Sequence, residues 1–316
     1  MKKRWCILVA ICMMLTLGGC REKGPSKLEV ARSEGIAYME QGQYEQAISS
    51  FDLAYSFCDE KMPQTKTDIA LFKATCQYEQ GDFTGVKDTC TGILALNENA
   101  DAYYLRGVSF QKLGENDAAK ADFDCAVALT PEDYGLYLNI YKQYEKINQS
   151  AVGDAYLQIA LNIQGEEMED YYQKGCIYFY LKDYAKAQEY LAAPVEAQHK
   201  EATELMGKVY LALNDTVHAR NVYQQYMTNF GATSEAYNGI MLCDIADGAY
   251  DAAIANAEAG LTLEGEDGKK DLRYNMIVAY EMKLDFESAK AKAAEFVELY
   301  PEDEDGRKEY DFLITR

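Results

Sequence analysis

The chain has 316 residues, with 31 Lys and Arg set against 52 Asp and Glu, for a net charge of −21 and a pI near 4.5. That acidity leaves no basic footprint for sequence-independent binding of nucleic acid, and it disfavours broad adhesion to an anionic bilayer. With 48% hydrophobic residues and only five prolines, the chain is too apolar to be disordered and has room for long helices.

The first twenty residues read as a processed leader. Lys2, Lys3 and Arg4 precede a thirteen-residue apolar run, Trp5 to Leu17, which is followed by Gly18, Gly19 and Cys20. A basic start, a short apolar run and small residues are the layout of a secretory signal peptide. The run falls short of the ~20 residues a spanning helix needs. Leu17-Gly18-Gly19-Cys20 resembles the bacterial lipobox, which implies cleavage of residues 1–19 and acylation of Cys20. Two or three acyl chains anchor stably, because each buried CH₂ contributes about 0.8 kcal/mol. Loss of the leader makes the chain three units more negative. Residues 20–27 are polar and unpatterned and read as the lipidated cysteine and a short tether, whose Arg21, Lys23 and Lys27 suit a headgroup surface.

Length alone would suggest about two domains, but the remainder is repetitive. A helix–turn–helix unit recurs eight times, with turns beginning at Gly42, Gly81, Gly114, Asn148, Lys182, Asn214, Gly248 and Leu284. These lie 39, 33, 34, 34, 32, 34 and 36 residues apart. Five residues beyond each turn stand Ala47, Val86, Ala119, Gly153, Ala187, Ala219, Ala253 and Ala289, small in all but one case. Small side chains there let two antiparallel helices approach, and enlarging one costs ~1–3 kcal/mol.

Period and pattern resemble the tetratricopeptide repeat (TPR). Residues 100–133 carry most of its consensus: Gly107 at position 8, Phe110 at 11, Gly114 at 15, Ala119 at 20, Phe123 at 24, Ala126 at 27 and Pro131 at 32. Unit one supplies Gly35, Tyr38, Gly42, Tyr44, Ala47, Phe51 and Ala54; unit five supplies Tyr171, Gly175, Tyr178, Tyr184, Ala187 and Leu191. The resemblance implies an all-α, right-handed α-α superhelical solenoid of about eight units over residues 28–303, with residues 304–316 as a C-terminal capping helix. Four departures stand out. Tyr141 replaces the usual Gly of unit four, and Pro194 is expected to end the second helix of unit five early. A longer connection, Phe57 to Thr67, separates units one and two. Asp244 occupies an aromatic position, which implies either a rolled helix or a carboxylate facing the groove.

Nothing in the sequence selects an active site, and the array is expected not to be an enzyme. His199 and His218 have neither ligand nor catalytic spacing, and there is no phosphate-cradling loop or nucleophile elbow. The cysteines after Cys20 are Cys58, Cys76, Cys90, Cys125, Cys176 and Cys243. They form no tetrahedral metal set and fall at or beside packing positions, so buried thiols are expected and no metal or cofactor.

In TPR proteins the first helices of successive units line a concave groove through positions 2, 5, 9 and 12. Carried over by the resemblance, the groove candidates are Met39, Leu71, Tyr78, Tyr104, Lys142, Tyr172, Phe179, Lys208, Asn238 and Tyr274. The Lys/Asn/Arg set that clamps a peptide's terminal carboxylate in chaperone-type TPRs is not visible. Such a surface suits an amphipathic helix or an extended peptide, with tyrosines as low-entropy anchors and a basic partner favoured by charge. The expected function is therefore a lipid-anchored interaction scaffold on the extracytoplasmic face of a bacterial membrane. The alternative is a lipoprotein that captures a small molecule or glycan for a transporter or hydrolase. Cys20→Ser is expected to move the protein from the membrane to the soluble fraction. Because Trp5 is the sole tryptophan, the processed form should show no indole emission; continued tight membrane association of the variant would defeat the anchor assignment.

Overall fold

The computed structural model describes residues 26–315. The leader, Cys20 and the tether through residue 25 lie outside the described residues. Ser26 and Lys27, expected in the tether, instead open the first helix: the Ser26 hydroxyl accepts from the Glu29 amide while the Glu29 carboxylate accepts from the Ser26 amide, a reciprocal cap.

Seventeen helices and no strand occur among the described residues. The first four pairs are α1 (Lys27–Glu40) with α2 (Tyr44–Ser56), α3 (Pro63–Gln80) with α4 (Phe83–Leu94), α5 (Ala100–Lys112) with α6 (Asn116–Leu129), and α7 (Tyr134–Lys146) with α8 (Ser150–Ala160). The next four are α9 (Met168–Tyr180) with α10 (Tyr184–Glu196), α11 (Lys200–Ala212) with α12 (Thr216–Phe230), α13 (Ser234–Ala246) with α14 (Tyr250–Leu261), and α15 (Lys269–Met282) with α16 (Phe286–Leu299); α17 (Glu304–Leu313) follows. The chain is all-α and built of TPR-type helix pairs. Residues 26–163 form one compact body of four pairs, and residues 164–315 form a second with four pairs and α17.

Every pair is closed by the same turn. Its first residue is left-handed in all eight cases, with φ between 56° and 79°. The next residue's amide then reaches back to a carbonyl in the first helix: Glu115 to Phe110, Gln149 to Tyr144 and Asp285 to Tyr280 are three of eight such bonds at 2.8–2.9 Å. This is a Schellman closure, in which the left-handed residue turns the chain while the orphan carbonyls are satisfied. Glycine fills it at Gly42, Gly81, Gly114 and Gly248, and asparagine at Asn148 and Asn214; Lys182 and Leu284 hold it against their side chains. Where Asp follows, as at Asp82, Asp183, Asp215 and Asp285, its carboxylate caps the second helix.

The two helices of each pair meet at residues sixteen apart, positions 8 and 24, and one member is small in seven of the eight pairs. Gly35 faces Phe51, Gly107 faces Phe123, Gly175 faces Leu191 and Gly207 faces Tyr223; a Cβ on any of these glycines would fall 2.5–2.7 Å from the opposing side chain. In units seven and eight the sizes are exchanged, Met241 with Ala257 and Ile277 with Ala293, all four fully buried. Unit four is the exception, with Tyr141 and Leu157 both large. Its relief comes from position 20: a Cβ on Gly153 would already lie 3.0 Å from the Tyr141 ring.

Two expectations are corrected. Pro194 does not end α10 early, because it lies in the final turn of a thirteen-residue helix, where the loss of one amide bond is tolerated. A left-handed Gln198 and a bond from the His199 amide to the Pro194 carbonyl then close the helix (2.9 Å). The connection after unit one is also shorter than expected. Pro63 starts α3 as its first residue, where a missing amide costs nothing. At the other end α17 packs Leu313 into a cluster with Phe296 and Tyr300, and Gly306 lies directly on the Phe296 ring.

Leu284→Gly should stabilise the second body by about 1 kcal/mol, since it relieves a left-handed leucine that is 73% exposed and packs little. The unfolding midpoint should rise by roughly 2–4 °C. A fall would contradict the turn assignment.

Candidate functional site

The inferred groove face is built by the first helix of each pair. In residues 26–163 it carries Met39, Leu71, Tyr78, Tyr104 and Lys142, all half-buried except Tyr104, which is 7% exposed. Met39 packs on the core of the first pair, beside Phe51 and Ile69. Tyr78 sets its edge against Phe83 (5.7 Å), and burial, aided by Glu79, pushes its hydroxyl pKa up. Tyr104 spans successive first helices: its hydroxyl accepts from Gln143 Nε2 of α7 (3.2 Å) while its ring leans on Phe123 (5.9 Å). From there Phe123, Tyr144 and Tyr156 continue a chain of ring contacts at 5.8 and 6.0 Å. Tyr104 is thus as much a joint between units as a contact surface.

In residues 164–315 the face carries Tyr172, Phe179, Lys208, Asn238 and Tyr274. Tyr172 stacks on His199 (4.7 Å), whose Nδ1 accepts from the Ala202 amide and so caps α11. Burial raises the Tyr172 hydroxyl pKa. Phe179 packs against Tyr184 of its own pair (5.8 Å), and Tyr274 sets its edge on Phe296 (5.7 Å). Lys208 and Asn238 are brought together. They line one cavity of about 280 Å³ with Leu211, Tyr223, Glu235, Gly239, Leu242, Gly268 and Asp271. Asn238 is fixed by Asn275 Nδ2 (2.8 Å), and Lys208 is held by Glu204 (2.5 Å).

Tyr223 is the residue that the positional pattern misses. It belongs to α12, a second helix, yet it reaches the groove face because two glycines let it through. Its ring end packs against Gly207 of α11 and Gly239 of α13, and a Cβ on either would overlap it. The signal was present in the sequence as glycines sixteen residues before and sixteen after the tyrosine. Tyr223 is 1% exposed, and burial raises its hydroxyl pKa.

Asp244 neither rolls its helix nor faces the groove. It is buried between pairs, where one oxygen accepts from Arg220 Nη1 of α12 (2.6 Å) and the other from Asn256 Nδ2 of α14 (2.7 Å). Arg220 also bonds Asp247 (2.9 Å). The first body has a counterpart in Asp122, gripped by Arg106 through Nε (2.7 Å) and Nη2 (2.8 Å), while Nη1 reaches Thr91 of the preceding pair.

No group of three or more metal-ligating side chains occurs among the described residues. All six described cysteines are thiols, with Cys76, Cys90, Cys176 and Cys243 buried, Cys58 half-buried and Cys125 exposed. Burial pushes Cys76 and Cys90 up to about 12 and Cys243 to about 11, so these thiols stay protonated and inert at neutral pH. His218 lies exposed against Tyr210 and Asp215. None of these forms a catalytic set.

A family model described as tetratricopeptide repeat matches residues 100–133 and 171–196. No curated protein matches the chain. Among solved structures, yeast Tom70 is similar over 95% of this chain and 66% of its own, with a TM-score of 0.64 at 12% identity. A tetratricopeptide repeat protein from Parabacteroides merdae is similar over 82% of this chain and 99% of its own, with a TM-score of 0.54 at 12% identity. A thermophilic TPR protein from Thermus thermophilus covers 58% of this chain and 100% of its own, with a TM-score of 0.50 at 17% identity. The chain therefore carries TPR repeats.

Asp244→Ala should cost about 3 kcal/mol, at the low end for breaking a buried ion pair because Arg220 keeps Asp247. Denaturant unfolding of the second body checks it. A loss under about 1 kcal/mol would show that the clamp holds little.

Proposed function

We propose that the protein is a membrane-tethered scaffold that binds a segment of a partner protein along the first-helix face of its repeats. The observation that carries this reading is the chemistry of that face, which presents half-buried aromatic and aliphatic side chains on successive helices. Rigid side chains of this kind anchor peptides at low entropic cost. One cavity on each body, among the described residues, measures about 280 and 210 Å³ respectively. Both fall below the ~300–1,000 Å³ of pockets that enclose a drug-sized ligand, which favours the peptide over the small-molecule alternative. Acidic surroundings favour a partner of basic character, mainly through faster association.

The tether rests on the sequence around Cys20 and on nothing in the helices. No described helix is long and apolar enough to cross a membrane. Acylation at Cys20 would hold the stack at the extracytoplasmic face of a bacterial envelope, with only a short polar segment between lipid and Ser26. A photocrosslinking residue placed at Lys208 or Asn238 in the native host should capture one partner protein. The same residue at Gln225, on the exposed side of α12, should not. Equal capture from both faces, or none from either, would overturn the proposal.

A further inference from the structure

The cavity beneath Lys208 and Asn238 has a chemistry of its own. Its walls are Leu211 of α11 and Leu242 of α13, with Tyr223 at the floor between Gly207 and Gly239. Its two acids, Glu235 and Asp271, occupy equivalent places in the first turns of α13 and α15. Among the described residues neither forms an ion pair, whereas the one base in the lining, Lys208, is already neutralised by Glu204. The cavity therefore combines two acids outside any ion pair with an apolar lining.

The Tyr223 hydroxyl adds an independent mark. Tyr223 is among the most completely buried large side chains, yet its hydroxyl has no hydrogen-bond partner among the described residues and its open side is this cavity. Its oxygen is therefore free to accept a hydrogen bond from whatever enters the cavity. A long aliphatic stem ending in a cation satisfies every surface at once. Its methylenes lie on the two leucines, and its head donates to the tyrosine oxygen and to the carboxylates. An anionic ligand would meet Glu235 and Asp271, and the volume suits one side chain.

We propose that this cavity is the pocket for a single lysine or arginine side chain of the bound partner segment, with Glu235, Asp271 and Tyr223 as its recognition groups. This rests on the groove reading above and names the chemistry that the groove selects. The test pans displayed random 12-residue peptides on the folded chain, followed by titration of one selected synthetic peptide and its norleucine analogue. Selected peptides should share one basic position, and norleucine there should weaken binding tenfold or more. E235Q/D271N should abolish the difference between the two peptides and leave the norleucine analogue's affinity unchanged. Tyr223→Phe keeps the ring between its glycines and should weaken only the basic peptide, several-fold.

If peptides bind but show no basic requirement, or if the double variant keeps the preference, the pocket assignment fails and the groove reading survives. If no peptide binds, both fail. Displacement of the peptide by equimolar spermidine would make a free amine the ligand and overturn the peptide assignment.

Discussion

Two helices can lie side by side at the 8–10 Å spacing of close packing only if one of them gives way where they cross. In this protein the crossing is always at residues sixteen apart, and the giving way is a matter of volume. Phe51, Phe123 and Tyr223 need Gly35, Gly107 and Gly207 opposite them, and Met241 needs Ala257. The sum matters more than the order, which is why units seven and eight place the large residue on the first helix. Unit four departs from it, and there Tyr141 is accommodated instead by Gly153, twelve residues on. Close-packed interiors feel single methylenes, so this one contact sets the pair, and the pairs set the face that the first helices present.

The turns follow from the same geometry. Bringing two helices back to back within three residues requires a left-handed residue, and the backbone bonds that close the turn are indifferent to the side chain there. Asn148, Lys182, Asn214 and Leu284 therefore make the turn that Gly42 makes. Buried polar groups are fewer and more particular. Asp122 and Asp244 are each gripped by an arginine that also touches a neighbouring helix, tying pair to pair in a medium where an unpaired carboxylate would be costly.

The groove chemistry grows out of the packing. Tyr104 and Tyr274 are largely committed to joints between helices, so their contribution to a bound segment is limited. Around Tyr223 the relation reverses. The second glycine, Gly239, leaves the ring more room than the pair needs, and Tyr223 lines the cavity there. A packing device has become part of a cavity. The leucines beside it and the acids above it give that cavity a polarity found in neither helix alone.

Periodicity made most of the fold legible. The eight turns, the helix pairs and the closing helix were all readable, because a left-handed turn and a sixteen-residue size match each leave a fixed trace in the sequence. The arrangement of groups from different units was not readable. Nothing local to Asp244 reveals that Arg220, twenty-four residues earlier, lies beside it. Pro194 looked like a helix breaker because sequence alone does not show that the helix is already ending. Positions 2, 5, 9 and 12 located Lys208 and Asn238 but passed over Tyr223, since a repeat frame treats each unit separately and the cavity needs three. What the sequence by itself determined is the repeating unit, whose contacts are short in range and strict in volume. What only the tertiary structure decided is which side chains remain unsatisfied where units meet, because that depends on neighbours the repeat does not encode.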